Sequence, residues 1–499
     1  MTRLFPISRA ALLLCLVLAA CSTQRASNEA PEAEPSKTLV AAAADSLPAR
    51  LDEILHRRDD GNVRYAARVV DLETGRELYA VAADEPFLPA SNMKLPVSAA
   101  ALDRFGSAHT FKTYLALDGD DLLVVGTGDP GTGDPTIAKK HGGTPVTMFD
   151  QWADALLAKG VSTIRGDLVY DDRALDEQRV HPSWSKGFLT DWYAAPVAGL
   201  NFNDNCVDIT ARPTADGEKV AYTVMPPTQG VAVINHLTSG PGDEPKIDRA
   251  ESADAFSISG ATTKPVELKS KPVTDPGAFF ADALRTHLAS RGITIQGGTR
   301  RVDASAPLAV PPVDTIVAVH ETRMPDAIGR VNKQSQNLFA EAFCKMLGRA
   351  YRADQGRDEP GSWAAGAEAV KSFLARNGID ASSLVVADGS GLGRDNRITT
   401  RIISDLLVLM RRHRGADTFF DSLSIAGGDG TLGKRLSDLK GHVFGKTGYI
   451  GGVRACSGYV KTRRGKWLVF SFIYNHIDGP VKPYEELQDE AIRALVAYP

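Results

Sequence analysis

Three short stretches carry residue types that could do covalent chemistry together. Ser91-Asn92-Met93-Lys94 sets a hydroxyl and an amine three residues apart, at the front of the apolar run "LPVSAAAL". Residues i and i+3 share one face of a helix. A serine at a helix start lies where backbone N–H groups favour negative charge. A lysine one turn on, among apolar side chains, loses solvation, and that lowers its pKa. A neutral amine beside a hydroxyl can take its proton and so make a nucleophile. Two other Ser-x-x-Lys pairs, Ser183/Lys186 and Ser437/Lys440, stand in polar, turn-like surroundings and lack this setting. Taken alone, Ser91 and Lys94 read better as an N-cap and a snorkelling side chain. Ser335-Gln336-Asn337 precedes a second apolar helix and alone reads as another N-cap. Lys446-Thr447-Gly448, the only Lys-Thr-Gly in the chain, alone reads as a charged edge-strand residue beside a turn.

Other chemistries are excluded by what the motifs lack. His320-Glu321 is followed by Thr-Arg-Met, so the second zinc histidine of H-E-x-x-H is missing. There is no G-x-S-x-G elbow and no C-x-x-C. The repeat "GTGDPGTGDP" lacks the Lys-Ser/Thr ending of a phosphate loop and reads as a turn. No metal and no organic cofactor is expected. A net charge of −4 without a Lys/Arg block argues against a nucleic-acid partner.

The elements that must position these residues come from both ends of a 499-residue chain. Strand pairs are predicted over 63–84 and 453–475, with helices at 47–58, after Ser91 and over 484–498. Hairpins at both ends, each beside helices, predict one antiparallel sheet flanked by helices: an α+β fold with its middle inserted. The stretch 112–310 is rich in Thr, Val, Pro, Gly and Asp and in short strand-like runs. It reads as one or two inserted β-rich modules, one able to nest in the other. The expected division is therefore 47–111 plus 311–499 for the discontinuous catalytic unit and 112–310 for the insertion.

Residues 1–21 read as an export signal: Arg3 and Arg9, then an apolar run too short to span a bilayer, then Leu18-Ala19-Ala20-Cys21. The ending resembles the bacterial lipoprotein signal, which implies lipidation of Cys21 and attachment to a membrane surface. Residues 22–46, rich in Ala, Glu, Pro and Ser, read as a flexible linker. The chain is thus expected in the cell envelope or periplasm, on a membrane that Ser22 allows to be the outer one. Cys206, Cys344 and Cys456 remain; three widely spaced cysteines imply no disulfide framework, and one bridge stays open.

Together and in this order, the three motifs resemble the serine penicillin-recognising enzymes. Ser91 and Ser335 lie 244 residues apart (335 − 91), Ser335 and Lys446 only 111 apart (446 − 335). So long a first gap is similar to class C, type-4 low-molecular-weight penicillin-binding proteins, which are D-alanyl-D-alanine carboxypeptidases and endopeptidases. "LPASNMK", "VVGTGDP", "YAAPVAGLNFNDNCVDI", "SQNLFAEAF", "DGSGLGRDNRIT" and "SIAGGDGTLGKRL" resemble the same family. The resemblance implies a transpeptidase/β-lactamase-like domain acting on peptidoglycan stem peptides and acylated by β-lactams. It implies Ser91 as nucleophile, Lys94 as general base, and Ser335 with Lys446 as a proton relay to the leaving amine. It implies Asn337 on a substrate amide, Thr447 and Gly448 at the substrate, and a positive charge from Lys446. The N–H groups of Ser91 and Tyr449 would form the oxyanion hole. Two positions depart from the family pattern. Gln336 replaces a common Asp and is expected to point away from substrate. Tyr449 replaces a Thr or Ser whose hydroxyl can help hold a carboxylate. The rival readings are a β-lactamase or esterase on the same fold, which the long insertion opposes, and a non-catalytic peptidoglycan-binding lipoprotein, which the intact motifs oppose.

Overall fold

Residues 467–475 are apolar at seven of nine positions and 63–71 at six of nine, which suits strands buried on both faces. In the computed structural model, Arg64–Asp71 and Trp467–Asn475 are adjacent antiparallel strands. The model describes residues 46–58, 61–303, 306 and 308–499. The expected signal, Cys21 and all of the linker but Ser46 lie outside them.

The two strands belong to a six-stranded antiparallel sheet. Its order is Ser424–Ile425, Val443–Ile450, Val453–Lys461, Trp467–Asn475, Arg64–Asp71, Glu77–Val81. Alternation divides the side chains between two cores. Val69, Phe470, Phe472 and Cys456 pack with Leu51 and Leu55 of the helix Leu47–Leu55 and with Leu487 and Leu495 of Lys482–Ala497. Val70, Val469, Ile473 and Ala455 pack on the other face with Leu102, Phe339 and Leu407. Those residues belong to the helices Lys94–Phe105, Asn337–Ala353 and Thr400–Met410. Strands from both ends of the chain thus form one sheet whose second face carries two of the three motifs' helices.

The inserted region has its own core around Phe149, Trp152, Phe202 and Phe280. Its main sheet runs Thr299–Arg301, Leu168–Asp171, Asp121–Gly126, Thr110–Asp118, Ile316–Arg323. The last two strands are hydrogen-bonded antiparallel, so this sheet reaches beyond both ends of the expected 112–310 span. The region is also less purely β than composition suggested. Helices Thr147–Ala158 and Pro276–Ser290 cover the sheet. The first buries Phe149, Trp152, Ala153 and Leu156, a helical spacing visible in the sequence. Smaller sheets fill 206–272. Cys206, Cys344 and Cys456 are all buried free thiols, so no disulfide joins them.

Candidate active site

Ser91 lies in a 3-10 turn, Ala90–Met93, that leads straight into the helix Lys94–Phe105. Pro96 falls within the first helical turn, where its missing N–H breaks no intrahelical bond. Every residue from Asn92 to Ala100 is buried, whereas Ser91 is half-buried and lines a cleft of about 740 Å³. Lys94 has no exposed surface. Lys186 and Lys440, the lysines of the other two pairs, are exposed.

Lys94 Nζ stands 3.0 Å from Ser91 Oγ, 2.6 Å from Asn337 Oδ1 and 3.0 Å from the Ser390 carbonyl oxygen. The last two can only accept hydrogen bonds. A neutral amine has two hydrogens and one lone pair. Asn337 and Ser390 therefore take the two hydrogens, and the lone pair is left for the Ser91 hydroxyl. Burial pulls the Lys94 pKa down to about 7, against the opposing pull of the Glu341 and Asp388 carboxylates.

Glu341 is one helical turn beyond Asn337 and fully buried. Its carboxylate accepts from Trp363 Nε1 (2.7 Å), Gly389 N (2.7 Å) and Ser390 N (2.9 Å). Burial pushes its pKa up to about 7. Three donors on two oxygens favour the ionised form, because a protonated carboxyl would set its own O–H against one of them. Asp388 accepts from Gly391 N (2.7 Å), Gly393 N (2.6 Å), Trp184 Nε1 (2.8 Å) and Asn396 Nδ2 (2.8 Å). These two buried acids fix the 388–396 loop so that the Ser390 carbonyl meets Lys94.

The other motifs converge on the same cleft. Ser335 adopts φ +61°, an uncommon left-handed conformation for a non-glycine residue. Its hydroxyl accepts from Lys446 Nζ at 2.7 Å. Lys446 also donates to the Thr447 carbonyl at 2.8 Å and is fully buried. Burial, then the charge of Lys94, holds its pKa well below the usual lysine value. A proton on Lys446 and a proton on Lys94 therefore disfavour each other. Thr447 bonds Thr431 through their hydroxyls at 2.8 Å. Gly448 lets its strand close on the Ser91 turn, since a Cβ there would stand 2.8 Å from the Pro89 carbonyl and 3.3 Å from Ser91 N. Tyr449 is 59% exposed on the cleft. Asn92 ties the turn to the sheet through Ser457 Oγ (2.7 Å), which bonds Ser471 (2.9 Å).

Asn337 is occupied at both ends. Its Oδ1 faces Lys94, and its Nδ2 donates to the Tyr193 carbonyl at 2.6 Å. One Nδ2 hydrogen is left for a substrate. Gln336 turns away from the cleft: its Oε1 accepts from Asn337 N (2.9 Å) and its Nε2 donates to Asp204 Oδ2 (3.0 Å). Glu341, Ser390 and Tyr193 are not singled out by sequence, and Asp388 in "DGSGLGRDNRIT" reads equally well as a turn residue with no catalytic role. A lone acid in "NLFAEAF" was the available signal for Glu341; the others act through backbone or through contacts distant in sequence.

The family model described as D-Ala-D-Ala carboxypeptidase 3 (S13) matches residues 47–494. The D-alanyl-D-alanine carboxypeptidase of Actinomadura sp. is 30% identical over 475 residues, covering 88% of this chain and 84% of that one. The D-alanyl-D-alanine carboxypeptidase DacB of Haemophilus influenzae is 25% identical over 415 residues, covering 79% and 82%. The crystal structure of penicillin binding protein 4 from Haemophilus influenzae superposes with a TM-score of 0.74 at 21% identity, over 90% of this chain and 99% of that one. The same protein complexed with a β-lactam gives 0.69.

A Cβ at Gly391, whose φ is +83°, would overlap the Ala90 carbonyl beside Ser91, whereas one at Gly378, at φ +75°, meets nothing. Gly378→Ala is expected to cost only the strain of a left-handed residue, roughly 1–2 kcal/mol. Gly391→Ala is expected to lower the thermal unfolding midpoint by clearly more. Equal losses would contradict the packing described here.

Proposed function

The chain belongs to the D-Ala-D-Ala carboxypeptidase 3 (S13) family, and we propose that it cleaves the terminal D-alanine from peptidoglycan stem peptides through an acyl-enzyme on Ser91. It is a serine-type hydrolase with the penicillin-binding-protein fold. The observation that carries the reading is Lys94 Nζ, fully buried, 3.0 Å from Ser91 Oγ.

The steps follow from the geometry. Lys94 takes the Ser91 proton as the oxygen attacks the carbonyl carbon of the penultimate D-alanine. The developing oxyanion is met by the N–H groups of Ser91 and Tyr449. The C–N bond breaks, and the leaving amine takes a proton through Ser335 and Lys446. Water then hydrolyses the ester and frees Ser91. Asn337 holds Lys94 and offers its remaining N–H to a substrate carbonyl. On its outer edge, among the described residues, the Lys-Thr-Gly strand is paired by backbone only over Val443, Phe444 and Gly445. Residues 446–450 are therefore open there to an extended peptide, as in β-strand addition. Thr447, Gly448 and Tyr449 would line that peptide. β-Lactams would acylate the same serine.

The same cleft would accept a D,D-crosslink, so endopeptidase action is part of the proposal. The catalytic unit is proposed as 47–111 plus 311–499 with 112–310 inserted, the insertion's main sheet drawing strand residues from both flanks, over Thr110–Asp118 and Ile316–Arg323. Arg3, Arg9 and the Leu-Ala-Ala-Cys ending support export and a lipid anchor on Cys21 that holds the enzyme in the periplasm or on an envelope membrane.

A fluorescent penicillin is expected to label wild type covalently and not Ser91→Ala, with wild-type acylation rising as pH increases through about 7, where Lys94 loses its proton. A labelled alanine variant would overturn the mechanism. For the anchor, Cys21→Ala is expected to move the protein from the membrane to the soluble fraction; retention in the membrane would count against lipidation.

A further inference from the structure

The turn Asn203–Asn205, in the stretch "GLNFNDN", takes no part in the acylation steps, yet its backbone is strained. Among the described residues it is the only run of three consecutive non-glycine residues at positive φ: Asn203 at +51°, Asp204 at +54° and Asn205 at +54°. The left-handed region is costly for residues with a Cβ, least so for Asn and Asp. Strain that a fold retains points to a use.

The two asparagines hold the turn against the insertion. Asn203 Nδ2 donates to the Cys206 carbonyl and to Asp208 Oδ2, both at 2.9 Å. Asn205 Nδ2 donates to Asn201 Oδ1 (2.7 Å) and the Pro196 carbonyl (2.8 Å). Asn203 N donates to the Thr132 carbonyl at 3.1 Å, which seats the turn on the "GTGDPGTGDP" repeat. Asp204 points the other way. Its Oδ2 accepts from Arg330 Nη2 at 2.8 Å and from Gln336 Nε2 at 3.0 Å.

These two partners bracket Ser335. Gln336 N donates to the Arg330 carbonyl at 2.9 Å, and Arg330 Nε donates to Asp134 Oδ2 at 2.8 Å. Asp204, Arg330 and Gln336 thus close a ring behind a second strained residue, Ser335 at φ +61°. The Ser335 hydroxyl is placed by that backbone and by Lys446 Nζ at 2.7 Å. Such a conformation persists where its surroundings over-determine it.

The placement matters in one step. As the C–N bond breaks, the leaving nitrogen takes the Ser335 hydroxyl proton and Ser335 takes one from Lys446. The proton that Lys94 accepted from Ser91 closes the balance. A misplacement of about 1 Å can cost about a hundredfold in such a transfer. A thiolate, whose thiol has a pKa of about 8.5, leaves without a proton.

We propose that Asp204 is a positioning residue for protonation of the leaving group: through Gln336 it locks the Ser335 turn so that the hydroxyl faces the departing nitrogen. This rests on the carboxypeptidase reading above and its Ser335–Lys446 relay.

The test compares two substrates on the full enzyme: an N-acylated peptide ending in Lys-D-Ala-D-Ala, and the matching thioester with sulfur in place of the scissile nitrogen. Asp204→Ala is expected to lower kcat/KM for the peptide about tenfold or more and to leave the thioester within about twofold. Asp204→Asn, which keeps an acceptor for Gln336, is expected to recover most of the peptide rate. Gln336→Met is expected to repeat the selective loss with the Asp204–Arg330–Asp134 pairing intact, so the test does not hang on the folding of Asp204→Ala. Equal losses on both substrates, or an unchanged peptide rate in Gln336→Met, would overturn the positioning role alone. Ser335→Ala marks the relay; if it loses both substrates alike, the relay falls and the positioning role with it. A wild type that leaves the peptide intact would overturn the carboxypeptidase reading itself.

Discussion

The site depends on keeping one amine dry. A lysine with no exposed surface has lost its hydration, and only hydrogen bonds and nearby charge can replace it. Around Lys94 the replacement is partial by construction. Two strict acceptors, Asn337 Oδ1 and the Ser390 carbonyl, hold two N–H groups, and the third position is a hydroxyl. That arrangement suits the neutral amine with its lone pair on Ser91. Glu341 and Asp388 keep the charged form within reach, so under the proposed mechanism Lys94 would hold the Ser91 proton and pass it on. Fewer acids would make too weak a base; more would hold Lys94 protonated.

Much of the remaining fold serves to assemble that environment from distant parts of the chain. The sheet built from both ends brings Lys446 to Ser335, and Gly448 lets the strand reach the Ser91 turn. The Asn92–Ser457–Ser471 hydrogen bonds continue this attachment into the buried sheet. The insertion takes part as well. The Tyr193 carbonyl holds the Asn337 amide, and Asp204 holds Gln336. Arg330 bridges Asp204 and Asp134, both from the insertion, at 2.8 Å each and is 9% exposed. A break in that buried pairing would leave charge uncompensated next to the Ser335 turn. Tyr193, Asp204 and Asp134, all from the 112–310 stretch, therefore help to wall the site.

The sequence disclosed the residues that carry a pattern and concealed those that act through geometry. Ser91, Lys94, Ser335, Asn337 and Lys446 were legible because three motifs occurred in one order. The sheet from both termini was legible because its strands alternate or run apolar. Ser390 works through its carbonyl and Tyr193 through its own, and no side-chain pattern marks a backbone oxygen. Glu341 was visible as an acid in an apolar helix, but its purpose appears only once residues 388–390 fold against it. Motif spacing does not reveal that Lys446 is fully buried near a second lysine, which lowers its pKa. The insertion read as β-rich from its Thr, Val and Gly content, which its several sheets bear out, while the helical spacing of Phe149, Trp152, Ala153 and Leu156 also marks a helix there.

The base assignment can be measured without any substrate. The Lys94 Cε carbon signal, identified by its loss in Lys94→Arg, reports the protonation of Nζ as pH is varied. The expected midpoint is about 7, moving lower in Glu341→Gln as one supporting negative charge is removed. A midpoint near the ordinary lysine value of about 10.4, unmoved by Glu341→Gln, would contradict the claim that a buried, neutral Lys94 activates Ser91.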